Sequence, residues 1–185
     1  MEAVRKTEPM PGRVTIGLYN SYDPIKFHES HRRALARAGP LALAFDCNLA
    51  TFGFPYEKDL GTPAEIAQWI STTTSIGESG SYLIELAGKG RFSAFDFPKK
   101  GFPPQLGEPI VTTRKPAVAK KVAAADVRSL AASGRSVLLV FGLGPRGLPR
   151  EIFELSSKHL DITGRGLSLE TCTALGAVVA LLKGK

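Results

Sequence analysis

Cysteine is nearly missing from this chain. Cys47 and Cys172 stand alone, far apart and without a C-x-x-C pair. That excludes a disulfide framework and a cysteine-based zinc site, and it fits a reducing compartment. Cys172, among small apolar residues, is expected to be a buried small hydrophobe. Long apolar runs are missing too. The longest, "ALGAVVALL", falls far short of the ~20 residues that cross a bilayer. The opening "MEAVRKTEPMPGR" holds no apolar signal core. A soluble, cytoplasmic protein with no membrane partner is expected.

What is present points to a single well-packed domain. The chain has 185 residues, 43% of them hydrophobic, enough for one good core. No internal repeat or two-domain boundary is visible, so residues 1–185 are taken as one unit. Twenty-four Lys and Arg against seventeen Asp and Glu give a net +7, which suits a polyanionic partner.

Hydrophobic patterning predicts strands alternating with helices. "VTIGLYN" (14–20) is a β-branched buried strand, and "IKFHESHRRALARAG" (25–39) is a helix stopped at Gly39. "LALAFDC" (41–47) is expected as a second strand. "TPAEIAQWIST" is a helix with Thr62 as N-cap, Pro63 next and Glu65 closing a capping box. "SYLIEL" (81–86) is expected as a third strand. Residues 88–116 hold five prolines, four glycines and four phenylalanines, and within them "PIVTT" (109–113) is a strand. A basic irregular insertion is placed at about 88–108. Residues 117–133 are expected as a helix, "SVLLVF" (136–141) as a strand buried on both faces, and "LPREIFELSSK" as a helix. "HLDIT" is a last strand, and a last helix covers 168–182. The fold class is α/β, a mainly parallel sheet covered by helices on both faces.

Two glycine turns follow the last two strands. "VLLVFGLGPRGLP" contains G-x-G-x-x-G at Gly142, Gly144 and Gly147. Glycines there would let a backbone approach a pyrophosphate, and Asp161 could serve as the ribose-binding acid of a dinucleotide oxidoreductase. Against this, Pro145 and Pro149 remove amide donors, Gly147 precedes the next helix, and only one helix remains after Asp161.

Taken together, both turns resemble the SPOUT (SpoU–TrmD) superfamily of methyltransferases. That family carries G-x-E-x-x-G-L and then I-P-M-x-G-x-x-x-S-L-N running into an Ala-rich helix. Here the first motif is matched by Gly142-Leu143-Gly144-Pro145-Arg146-Gly147-Leu148, and the second, without a gap, by residues 160–170, "LDITGRGLSLE". "VTTRK" is similar to the Thr-rich strand end upstream. The resemblance covers about 109–182 and is closest to an uncharacterised archaeal group related to these enzymes. It implies a C-terminal trefoil knot, S-adenosylmethionine as cofactor and RNA (tRNA or rRNA) as substrate. By alignment, cofactor contacts fall on Thr112, on Leu139, Phe141, Gly142, Leu143, Gly144 and Gly147, and on Leu160, Ile162, Gly164, Leu167, Ser168 and Leu169. Gly144 replaces the family's acid and Glu170 its asparagine, which leaves ribose 2′-O and base methylation both open.

The last helix, "LETCTALGAVVALL", is almost without charge. Ser168 is expected to cap it, with Glu170 in its first turn either favouring the helix dipole or taking part in catalysis. By resemblance this helix packs on the knot and on the second subunit of a homodimer.

Upstream, the family's N-x-G-x-x-x-R arginine corresponds to Arg33, six residues before Gly39. It would stabilise a developing alkoxide, or belong with Arg32 and Arg37 to a solvated face. Phe27 occupies the asparagine position, and Asn20 or Asp23 could serve instead. His28 and His31 share a helix side without a third metal ligand, so no metal is assigned. His159 is expected at an edge.

Most of the chain's net positive excess lies in residues 88–121, where eight cations face Asp96 and Glu108 for a net +6. Lys99, Lys100, Arg114 and Lys115 are the candidate RNA contacts. Phe92, Phe95, Phe97 and Phe102 are interleaved, either to stack unpaired bases or to tuck the loop onto the core. The function expected is an S-adenosylmethionine-dependent RNA methyltransferase. The alternatives are a silent cofactor- and RNA-binding module or the oxidoreductase.

Overall fold

The computed structural model describes residues 10–73 and 79–184. Its centre is the parallel pair β1 (Val14–Tyr19) and β6 (Val137–Gly142), in unbroken register from Val14 opposite Val137 to Tyr19 opposite Gly142. β1 is buried throughout and β6 through Phe141. Around them stand β2 (Asn48–Phe52), β3 (Phe92–Phe95), β4 (Glu108–Thr112), β5 (Lys121–Val122) and β7 (Lys158–Leu160). The order across the parallel sheet is β3-β2-β1-β6-β4-β7-β5.

The helices are α1 (Glu29–Ala44), α2 (Pro63–Thr73), α3 (Ser79–Gly88), α4 (Ala124–Ala132), α5 (Arg150–Glu154) and α6 (Thr171–Lys183). Crossovers between parallel strands are right-handed, so the direction of each step along the sheet selects its face. The steps β1→β2, β2→β3 and β5→β6 all run towards the β3 edge, sending α1 to α4 to one face. There Leu35, Ile70, Leu86 and Val127 pack with Ile16, Leu49 and Leu139, and α6 adds Val178 and Val179. The steps β3→β4 and β6→β7 run the other way. The opposite face therefore receives α5 and the segment 96–107, with Phe102, Leu106, Leu148 and Ile152 packed with Phe52, Leu138 and Val140. Full helical cover holds for one face only; the other carries a five-residue helix and an irregular segment.

Of the interleaved phenylalanines two are core residues, and Phe95 and Phe97 are partly buried against that core. Phe92 sits in β3 and is buried, as is Phe102. Phe95 stacks on Phe52 at 5.6 Å, Phe102 meets Phe52 edge-on at 5.1 Å, and Phe97 lies 5.3 Å from Tyr19. A surface platform for bases is not built from them.

Several elements differ from expectation. Gly39 does not stop α1, which continues through Pro40 to Ala44. Gly39 is buried against α3, with the Leu83 nitrogen 3.4 Å from where a Cβ would stand, an ordinary van der Waals contact. "LALAFDC" is therefore the end of a helix and its exit turn, and the strand is the next segment, "NLATF". "SYLIEL" is helical: Leu83 and Leu86, three apart on one face, are the buried pair. Of 117–133 only the second half is helix, because Lys121 and Val122 pair with β7. The last helix starts at Thr171 rather than 168.

The exit of β1 is closed by a buried latch. The Asn20 side-chain amide donates to the carbonyls of Asp23 (2.7 Å) and Gly53 (2.8 Å). Its Oδ1 accepts from the Tyr22 and Asp23 amides. The His28 amide donates to His31 Nδ1 (3.0 Å), which leaves the proton on His31 Nε2 to donate to Asn20 Oδ1 at 3.0 Å. Asn20 is thus a structural hub, and His31 is neutral and fully buried. Burial, then the nearby His28, lower the His31 pKa from 6.5 to about 4.

Two outcomes are expected. Phe102→Ala should cost ~3 kcal/mol of unfolding free energy in urea titrations; a change within ~0.5 kcal/mol, usual for surface sites, would remove Phe102 from the core. The folded-state pKa of His31 is depressed, so the unfolded chain takes up its proton first as pH falls. The contribution of His31 is complete above 6.5 and is lost on the way down to about 4. His31→Asn should flatten that part of the stability profile, and an unchanged profile would refute the latch.

Candidate functional site

The C-terminal ends of β4, β6 and β7 open into a cleft of about 1120 Å³. Its first wall is the turn after β6. The Leu143 amide donates to the Tyr19 carbonyl (2.9 Å), the Gly144 amide to Ser21 Oγ (3.0 Å), and the Gly147 amide to the Gly144 carbonyl (2.9 Å). No side chain fits at two of these glycines. A Cβ on Gly142 would lie 2.7 Å from the Gly147 carbonyl carbon, and one on Gly144 would lie 2.4 Å from the Ser21 oxygen.

The second wall is the turn after β7, organised by Asp161. Its Oδ1 accepts from the amide and hydroxyl of Thr163, and its Oδ2 from the Gly166 amide at 2.9 Å. Thr163 Oγ1 in turn accepts from the Arg165 and Leu167 amides. Burial opposes the Asp161 charge, but the Thr163 hydroxyl and the amides of Gly166, Thr163 and Gly164 outweigh it and hold its pKa below the usual carboxylate value. Gly164 and Gly166 have φ of 64° and 68°, which favours glycine.

The third wall is the end of β4, where Thr112 Oγ1 donates to the Val140 carbonyl and the Thr113 amide to that of Leu160. Thr171 Oγ1 ties α6 to the first turn through the Gly142 carbonyl at 2.9 Å.

The candidate residues gather here with five exceptions. Thr112, Phe141, Gly142, Leu143, Gly144 and Gly147 line the cleft from one side, and Leu160, Ile162, Leu167, Ser168 and Leu169 from the other. Leu139 stands in the core, fully buried and outside the lining, and Gly164 shapes its turn without facing the cleft. Arg114, Lys115 and Glu170 are at the cleft. Lys99 and Lys100 are exposed beyond β3 on the segment covering the second face and do not line it. Arg33 is exposed, its Nε 3.3 Å from Glu29 Oε1, outside the cleft of its own chain.

Glu170, not Ser168, caps α6: its Oε2 accepts from the Cys172 and Thr173 amides at 3.0 and 3.2 Å. Burial opposes its charge, and these amides, with Cys172 and Arg37, keep its pKa below the ordinary value. The arginine of α1 that bears on Glu170 is therefore Arg37. Cys172 is half-buried beside it rather than hidden in the core.

Arg146 and Arg150, not singled out from sequence, join Arg114 and Lys115 as exposed cations at the cleft. Arg146 lies inside the first glycine motif, so that motif itself was the available signal. His159 is buried, accepting from the Ala117 amide at Nδ1 and facing the Phe153 carbonyl with Nε2. The oxidoreductase reading loses its acid, since both Asp161 oxygens are held within their own turn. The helix after the first turn has only five residues, with Pro149 at its N-cap.

Solved structures similar to this chain include methylases. A methylase-family protein of Neisseria gonorrhoeae superposes with a TM-score of 0.61 at 16% identity, over 100% of this chain and 86% of that one. An AdoMet-bound rRNA methyltransferase of Sinorhizobium meliloti gives 0.51 at 16% identity, covering 98% of this chain and 59% of that one. The A. aeolicus TrmH/SpoU tRNA modifying enzyme gives 0.51 at 14%, covering 94% and 77%. The fold is thus that of the SpoU/TrmH-type methylases. In sequence, an uncharacterized protein of Methanocaldococcus jannaschii is 42% identical over 170 residues, 92% of this chain and 93% of that one. The chain belongs to the DUF531 family, described as proteins of unknown function, whose model it matches from residue 14 to residue 183.

Proposed function

We propose that the protein is an S-adenosylmethionine-dependent methyltransferase acting on tRNA or rRNA. One observation carries this reading: the glycine turns after β6 and β7 wall a single cleft below the Thr-rich end of β4. The cleft is roomier than the ~300–1,000 Å³ usual for small-molecule sites, which leaves space beside a cofactor for an acceptor. Phe141, Leu160, Ile162 and Val178 offer apolar walls for an adenine ring, and Glu154 and Glu170 suit a sulfonium cation. Bound there, the cofactor supplies an electrophilic methyl group. The chain's part is to hold the acceptor in line and manage its proton.

The finer assignments follow from the same geometry. The chain leaving β6 passes β4 to reach β7 and returns as α6, tied by Thr171 to Gly142; we infer the trefoil knot from this path. Stretching a single unfolded molecule should then leave it shorter than its full contour. On α6, Ala180 and Leu181 are exposed, as are Leu167 and Leu169 nearby, which supports a homodimer through this helix. A monomer at micromolar concentration in sedimentation would contradict it. Arg33 would then act in the cleft of the second copy, stabilising an alkoxide on a ribose 2′ oxygen.

Calorimetry with S-adenosylmethionine, its demethylated product and NAD tests the cofactor. The first two should bind and NAD should not, and Gly142→Val should abolish binding in a folded protein because its side chain has no room beside Gly147. Equal binding by this variant would remove the site. Binding without transfer to any RNA would leave a silent cofactor-binding module.

RNA contact is assigned to the cleft cations, with Lys99 and Lys100 extending it. Each phosphate neutralised in a single strand contributes roughly 0.7 to the slope of log affinity against log salt. Reversing Arg114 and Lys115 to Glu should therefore flatten the slope by roughly 1.4 while sparing cofactor affinity. An unchanged slope would make these cations mere solvated surface. Lys99→Glu with Lys100→Glu tests the extension in the same way.

A further inference from the structure

Strand β7 lies between β4 and β5, so the chain that joins those two strands has to cross it. The crossing segment, residues 113–120, carries Arg114 and Lys115, two of the exposed cations at the cleft. Two hydrogen bonds tie it to β7. The Thr113 amide donates to the Leu160 carbonyl at 2.9 Å, and the Ala117 amide donates to His159 Nδ1 at 3.1 Å. Arg114 and Lys115 sit between these ties. The first tie is main chain alone, and the second depends on a side chain.

His159 itself lines the cleft and is only 3% exposed. It is in register with Val111 on one side and Lys121 on the other, and Val111 packs on the face that carries α5. Its Nε2 lies 3.3 Å from the Phe153 carbonyl, and the Phe153 ring meets the imidazole edge-on at 5.3 Å. An Nδ1 that accepts from an amide carries no proton, so Nε2 holds it and donates to Phe153. Three residues before Phe153, Arg150 is exposed at the cleft. The imidazole therefore joins the two stretches that carry Arg114, Lys115 and Arg150. Lys120 Nζ reaches the same Phe153 carbonyl at 3.3 Å and Glu154 at 3.6 Å, which closes the junction. The fold alone asks less of this position. A buried strand residue is ordinarily apolar, and Ala117 is exposed, so water can serve its amide. What the imidazole adds is a fixed distance between two walls that bear cations.

We propose that His159 is a positioning residue for RNA. Neutral, with its proton on Nε2, it holds the 113–117 segment against α5 at the spacing that receives phosphate groups of the bound strand. This rests on the RNA methyltransferase reading above. With the segment pinned, Arg114 and Lys115 meet phosphates on a backbone that is already ordered, which removes that part of the cost of binding. The cations remain the contacts, and His159 acts through them.

The test uses the full chain with S-adenosylmethionine and transcribed tRNA and rRNA. His159→Leu fills the same space but accepts no hydrogen bond. It should raise RNA KM about 10-fold, the cost of ordering a loop and two long side chains. At saturating RNA kcat should hold, and calorimetric cofactor affinity should stay unchanged. The salt slope of RNA binding should also hold, because no charge is removed. His159→Asn, whose Oδ1 can accept from the Ala117 amide, should recover most of the RNA affinity. Nitrogen-15 NMR of the wild type should show a bare Nδ1 and a proton on Nε2. A proton on Nδ1 would overturn the proposal even if His159→Leu fails to fold. Wild-type RNA KM in a folded His159→Leu would overturn it as well, and so would equal losses of cofactor and RNA affinity; each leaves the methyltransferase reading standing. No cofactor binding, or no transfer by the wild type to either RNA, would bring down both.

Discussion

The C-terminal end of the sheet depends on one steric constraint: three stretches of backbone meet where no side chain can stand. At Gly142 and Gly144 the turn after β6 presses against its own Gly147–Leu148 segment and against the exit of β1. Only main-chain atoms approach so closely, and the amides of Leu143 and Gly144 use that proximity to bond Tyr19 and Ser21. The cleft wall, the 20–28 turn and the entry to α6 take their places from this junction. Glycine here answers a packing demand first, and any ligand contact builds on it.

Handedness explains the uneven cover of the sheet. Steps in one direction carry helices to one face and steps in the other carry what remains, a short helix and an aromatic segment, to the opposite face. Phe95 and Phe102 with Phe52, and Phe97 with Tyr19, do there what a helix does elsewhere. A proline- and glycine-rich stretch can thus be structural without being regular. Its charge, at Lys99 and Lys100, stays outside while its rings turn in.

Where periodicity was strong, the sequence was legible. β1, β4, β6 and α2 stand close to where their patterns put them. The misplaced elements share a cause: short apolar runs fit more than one period. "SYLIEL" alternates well enough for a strand, yet its Leu83 and Leu86 are spaced for a helix face. Gly39 carried a stop signal that α1 overrides, since the helix runs on through Pro40 to Ala44 against α3. β5 is two residues long and exists only because β7 lies beside it. At the cleft, the motif alignment placed the lining well because glycine spacing reflects backbone geometry directly. It missed Arg146 and Arg150, whose exposure at the cleft is set by where the turn points. It also could not separate Arg33 from Arg37, one helical turn apart.

The turn from Asp161 to Leu167 is closed by its own hydrogen bonds, with Asp161 and Thr163 together taking up the amides of Thr163, Arg165, Gly166 and Leu167. Its shape is therefore settled during folding, before any ligand arrives. A loop ordered in advance loses little conformational entropy on binding, at ~1–2 kcal/mol for each backbone residue that would otherwise have to be fixed. A small molecule entering this cleft meets a wall that does not need to rearrange, so its affinity is not eroded by ordering that side of the site.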